Sequence, residues 1–132
     1  MNESNQSFRD LTVYKKAFQL AMEIFEITKT FPKEERYSLT DQIRRSSRAV
    51  CSCIAEAYRK RNYPAYFVSK SSDADMENSE TQSWIDFSHA CNYMSSDQHK
   101  DLIAKSEEVG KLLNHMVENP EKYVRQIEKI KA

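Results

Sequence analysis

The chain has 132 residues, 39% hydrophobic and 30% charged, with one glycine, three prolines and equal numbers of acidic and basic residues. The length suits one domain with one core, and so little glycine and proline argues against a turn-rich all-β fold and against a glycine-built phosphate loop. A formal net charge of zero argues against a generally basic nucleic-acid binder and confines any such activity to a local patch.

No apolar run approaches the ~18 residues of a membrane span. The opening MNESNQSF lacks the charged-then-apolar pattern of a signal peptide. Three cysteines without framework spacing fit a reducing compartment, so a cytoplasmic protein is expected.

Residues 1–9 read as a polar arm. From Leu11 the residues Tyr14, Ala17, Phe18, Ala21, Ile24, Phe25 and Thr28 recur three or four apart, which predicts a first helix over 11–30 with Asp10 or Thr12 as cap. Phe31-Pro32 stops it, because a residue before proline is pushed out of the α region. Ser38-Leu39-Thr40-Asp41 has the capping-box form and opens a second helix over 39–61. Its apolar face carries Leu39, Ile43, Ser46, Ser47, Val50, Ile54, Ala57 and Tyr58.

Pro64 suits the first position of a third helix, expected over 65–93. Tyr66 and Phe67 open its apolar face, and Trp84, Ile85 and Phe87 resume it, with Lys70, Ala74, Glu77 and Thr81 between them. The middle, SKSSDADMENSETQ, has the composition of an acidic linker, but apolar periodicity resumes in phase beyond it. Ser95 or Ser96 caps a fourth helix over 97–118, bearing Leu102, Ile103, Val109, Leu112, Leu113, Met116 and Val117. Asn119-Pro120 ends it. In the tail, 119–132, Tyr123, Val124, Ile127 and Ile130 have the spacing of a short helix. Four helices with short links predict an all-α, antiparallel up-down-up-down four-helix bundle over 10–118.

The second and third helices differ sharply in charge. Residues 39–61 hold six basic and two acidic side chains, residues 65–93 one basic and five acidic. As antiparallel neighbours they place Arg45 and Arg48 near Asp75, Glu77 and Glu80. The plainer reading is an inter-helix charge network of those five residues, modest in its contribution to stability. The sharper reading is a nucleic-acid-binding surface of Arg44, Arg48, Arg59 and Arg61. It requires guanidinium groups that the acidic helix leaves free. A third is a surface for a protein partner.

Other chemistry is poorly supported. Cys51-x-Cys53 and His89-x-Cys91 suggest zinc, but side chains two apart on a helix diverge by about 200°, so neither pair chelates. Glu56 near Cys53 disfavours an activated thiolate. No Glu-x-x-His pair marks a di-iron bundle. Asp73, Glu77 and Glu80 lack partner histidines for a cation site, and His89, His99 and His115 are scattered and expected at the surface. Trp84 and Phe87 read as core rather than as a base-stacking platform. No catalytic residue, metal, cofactor or small-molecule substrate is expected.

FRDLTVYKKAFQLAMEIFEIT followed by FPKEERYSLTDQIRRSSRAVCSCIAEAYRKR resembles the bacterial four-helix-bundle proteins encoded in intervening sequences of 23S ribosomal RNA. The matching elements are Phe8-Arg9-Asp10-Leu11, Phe31-Pro32-Lys33-Glu34-Glu35, Leu39 to Arg45, and Cys53-Ile54-Ala55-Glu56-Ala57. ENSETQSWIDFSHACNYM is similar to the family's third helix, and the resemblance spans residues 8 to 118. Cys53 stands where the family usually has Asn, and Ala57 where it usually has Gly. The resemblance implies a four-helix bundle, a homo-oligomer with a pentamer preferred, and an RNA- or ribosome-linked setting. It also implies kinship to accessory subunits of retroelement reverse transcriptases that bind nucleic acid. The expected function is therefore a non-enzymatic oligomeric helical-bundle binding module, RNA- or ribonucleoprotein-associated, with RNA or single-stranded DNA as the candidate partner. The alternative is an assembly or partner-binding scaffold with no nucleic-acid role.

Overall fold

The computed structural model describes residues 7–124. Among these residues four α-helices make up the fold: α1 (Thr12–Thr28), α2 (Leu39–Arg59), α3 (Pro64–Ala90) and α4 (Ser96–Glu118). α1 packs on α2 and α4, and α3 packs on α2 and α4, which closes an antiparallel four-helix bundle. No strand occurs among the described residues.

α1 begins after Leu11, whose extended backbone provides the cap position without a side-chain hydrogen bond, so neither Asp10 nor Thr12 caps it. Instead Ser7 caps a short 3-10 turn, Phe8–Asp10, by accepting from the Arg9 amide at 3.2 Å. Phe8 meets Tyr14 edge-on at 5.0 Å, so the last residues of the expected arm join the bundle. The buried seam of α1 is Val13, Ala17, Leu20, Ala21, Ile24 and Thr28. It is rotated from the expected face: Phe18 is 50% exposed, and Tyr14 and Phe25 are half-buried.

All eight residues expected on the core face of α2 are buried. Ser38 does not close a capping box with Asp41. It donates to Glu35 Oε1 at 2.6 Å, and Glu35 also accepts from the Leu39 amide at 3.2 Å and from Tyr93 Oη at 2.8 Å. These bonds hold the Glu35 carboxyl below its ordinary range, Ser38 contributing most, and push the Tyr93 phenol up to about 12. They join the α1–α2 connection to the α3–α4 turn. There Phe31 lies on Tyr93, with ring centroids 5.2 Å apart.

α3 is continuous through the acidic middle. Its buried residues are Phe67, Ser71, Ala74, Asn78, Thr81, Ile85 and Ser88, a strict four-three spacing whose stretch from Ser71 to Thr81 is small and polar. Lys70, Glu77 and Phe87 are not in that seam, and Phe87 is 55% exposed. Small side chains let the helices approach, and hydrogen bonds satisfy most of the polar groups. Thr81 Oγ1 lies 2.8 Å from Ser46 Oγ of α2. Asn78 Nδ2 donates to the Ser106 carbonyl of α4 at 2.9 Å, and Ser106 Oγ donates back to Asn78 Oδ1 at 2.9 Å. α4 starts in a full capping box between Ser95 and Gln98. After α4 a 3-10 turn, Pro120–Tyr123, brings Tyr123 onto Phe67 at 5.2 Å. Ile127 and Ile130 of the anticipated tail helix lie outside the described residues.

Candidate nucleic-acid interface

Side chains of α2 diverge by about 100° per residue. Ser46 meets α3 through Thr81, and Glu56 meets it through Lys70 Nζ at 2.8 Å. Arg48 therefore sits about 160° from Ser46, on the side turned away from α3, whereas Arg45, about 20° from Glu56 in angle, is turned along its own helix. That rotation corrects the anticipated network. Arg45 pairs with Asp41 on its own helix at 3.6 Å. Among the described residues no ion pair joins Arg45 or Arg48 to Asp75, Glu77 or Glu80. Burial pushes the Glu77 carboxyl up, and its charged neighbours Glu80 and Asp73 add to the shift; no arginine offsets it. The α2–α3 charge match is instead Lys70 with Glu56, a residue that periodicity alone had not singled out.

Arg44, Arg48, Ser52, Ala55 and Arg59 follow one another at helical spacing on the outer face of α2. α1 organises the first part of this stripe. Arg44 Nε donates to Thr28 Oγ1 at 2.8 Å, and its guanidinium lies 4.7 Å from the centre of the Phe25 ring. Arg48 approaches the same ring at 5.8 Å. The C-terminal end of α1 carries partial negative charge, which favours a guanidinium there. Arg44 is half-buried, whereas Arg45, Arg48 and Arg59 are exposed. No ion pair among the described residues ties Arg44, Arg48 or Arg59 to an acid. Arg61 is apart from them, at the α2–α3 turn. Its Nη1 donates to the Tyr58 carbonyl at 2.7 Å, and its guanidinium lies 3.8 Å from the Tyr58 ring centre.

Beside this stripe α1 exposes apolar surface. Phe18 and Met22 are 50% and 45% exposed, and Tyr14 stacks on Phe18 with centroids 6.1 Å apart.

The remaining candidates separate. Cys51 is buried, Cys53 half-buried and Cys91 exposed. Burial pushes the Cys51 thiol up to about 11 and the Cys53 thiol up as well. No group of three or more His, Cys, Asp or Glu among the described residues is placed to hold a metal ion. The histidines are less scattered than their sequence positions suggest: His89 and His99 stack at 4.5 Å across the α3–α4 turn, and His99 Nε2 lies 2.9 Å from Asp86 Oδ1. No helix among the described residues is long and apolar enough to cross a membrane.

The family model described as 23S rRNA-intervening sequence protein matches residues 9–115. Among solved structures the chain is similar to a protein of unknown function from the S23 ribosomal protein family of Bacteroides thetaiotaomicron. The two are 26% identical with a TM-score of 0.73, over 80% of this chain and 95% of that one. None of the curated proteins matches the chain.

Proposed function

The chain belongs to the 23S rRNA-intervening sequence protein family, and from that premise we propose that it is a non-catalytic, self-associating helical bundle that binds RNA or ribonucleoprotein through the outer face of α2. One observation carries this reading. Arg44, Arg48 and Arg59 share a stripe that the acidic α3 does not neutralise. A neutral chain can bind a polyanion when its charges are segregated in this way. Arg61 stands outside this stripe, at the α2–α3 turn, with its guanidinium engaged by Tyr58. Phosphate contacts of this kind carry no base information, so the binding is insensitive to sequence and accepts single-stranded DNA as well.

Self-association belongs to the same reading. Family resemblance favours a homopentamer, and the exposed Phe18 and Met22 of α1, flanked by half-buried Tyr14, form apolar surface that a second copy can cover. Several copies around an axis repeat the arginine stripe and raise avidity without any new kind of interaction. The same apolar strip favours a second reading, a partner-binding scaffold without a nucleic-acid role.

Fluorescence polarisation of a labelled single-stranded RNA with wild type and with Arg48→Glu/Arg59→Glu separates the two. Wild type binds at about 50 mM salt, where phosphate contacts are strong, and the double variant does not. Equal behaviour of the two proteins moves the scaffold reading into first place. Sedimentation at micromolar concentration reads the assembly, and a 15.5 kDa monomer contradicts it.

A further inference from the structure

A cleft of about 690 Å³ lies where the α1–α2 connection meets the start of α2. Four arginines line it, Arg36, Arg44, Arg45 and Arg48, against a single acid, Asp41. Three positive charges are therefore uncompensated. The nearby Glu35 carboxylate does not neutralise them, because it is turned to Ser38, the Leu39 amide and Tyr93. Asp41 engages Arg45 only at 3.6 Å.

A further residue gives the cleft a chemical direction. Tyr37, at the rim, is 85% exposed, and the Arg36 guanidinium lies 5.5 Å from its ring centre. An exposed aromatic ring backed by an arginine is a surface on which a base can stack.

We infer that this cleft is a nucleotide subsite for single-stranded RNA: the arginines take a backbone phosphate, and Tyr37 stacks the adjoining base. The inference rests on the proposed function and adds to it a named contact for the base. Arg44 is already oriented by Thr28 and Phe25, with guanidinium N–H groups beyond those two bonds still to give. Arg45 exchanges its long contact with Asp41 for the phosphate. Stacking on an aromatic ring is tolerant of base identity, because every base has a π face.

The test uses the full chain and two labelled ligands of equal length, a single-stranded RNA and its abasic counterpart, at about 50 mM salt. Tyr37→Ser weakens RNA binding on the order of ten-fold and leaves abasic binding unchanged, and Tyr37→Trp restores the RNA affinity. Free nucleoside monophosphate does not compete at the same nucleotide concentration. Wild-type RNA affinity in Tyr37→Ser overturns the subsite and leaves the arginine-stripe reading standing. Equal competition by the monophosphate overturns the strand assignment. Absence of binding by the wild-type chain removes both readings together.

Discussion

Arg44 of α2 donates from Nε to the Thr28 hydroxyl of α1 at 2.8 Å, and Thr28 is itself 3% exposed. The bond fixes the first guanidinium of the outer stripe against the C-terminal end of α1, where the helix dipole supports it. Thr28→Val keeps the side-chain shape and removes the acceptor. It should cost about 0.5–1.5 kcal/mol in urea unfolding, the ordinary worth of such a bond with a half-exposed partner. An unchanged midpoint would mean that Arg44 is not held by Thr28.

Charge pairing between α2 and α3 should run through Lys70 and Glu56 rather than through Arg48 and Glu77. The Lys70–Glu56 contact is 2.8 Å long, with the two side chains 26% and 54% exposed. A double-mutant cycle on this pair should give a coupling of about 0.2–1 kcal/mol. A cycle of Arg48→Glu with Glu77→Arg should be additive within about 0.5 kcal/mol. Strong coupling in the second cycle would restore the network that the charge pattern suggests.

Much of the bundle is legible in the sequence, and the places where it is not share a physical cause. α2 is read correctly because its large and small core residues alternate with arginines. α3 is harder, because its seam runs through Ser71, Ala74, Asn78 and Thr81. Those residues show no apolar periodicity; only their four-three spacing marks them. On α1 the aromatic residues Phe18 and Phe25 draw the expected face away from the true seam through Val13 and Leu20. The arginines are identifiable as a group, but their direction depends on helix rotation, which residue counts between neighbours cannot fix. Tyr37 of the cleft has no sequence signal, since its place beside the arginines is visible only in three dimensions.

The Glu35 cluster gives a pH signature. Its folded carboxyl lies below the ordinary value of 4.5 through Ser38 first, then Tyr93 and the Leu39 amide. A depressed carboxylate stabilises the fold above its unfolded value and loses that contribution as pH falls through the folded one. The Tyr93 phenol, raised from 10 to about 12, stabilises below 10 and loses its contribution on rising through that interval. Carboxyl-detected titration should show Glu35 moving upward in Ser38→Ala, and upward by less in Tyr93→Phe. A Glu35 titration that neither substitution moves contradicts these hydrogen bonds.

Thiol chemistry should rank by exposure. Cys91 is exposed, whereas Cys51 is buried with its thiol pushed up to about 11 by desolvation. At pH 8 a disulfide reagent should label Cys91 first and leave Cys51 unmodified until the chain unfolds, because the thiolate is the reactive form. Fast labelling of Cys51 in the folded protein would show that α1 and α2 do not close over it.

The central claim is that α2 presents arginines to a phosphate backbone, and the salt dependence of binding tests it most directly. Polarisation of a labelled single-stranded RNA, followed from about 50 to 200 mM salt, should give a straight fall of log affinity against log salt. Arg48→Ala should make that slope shallower by ~0.7 for each phosphate that Arg48 neutralises. A slope near zero, or one that Arg48→Ala leaves unaltered, would contradict the account.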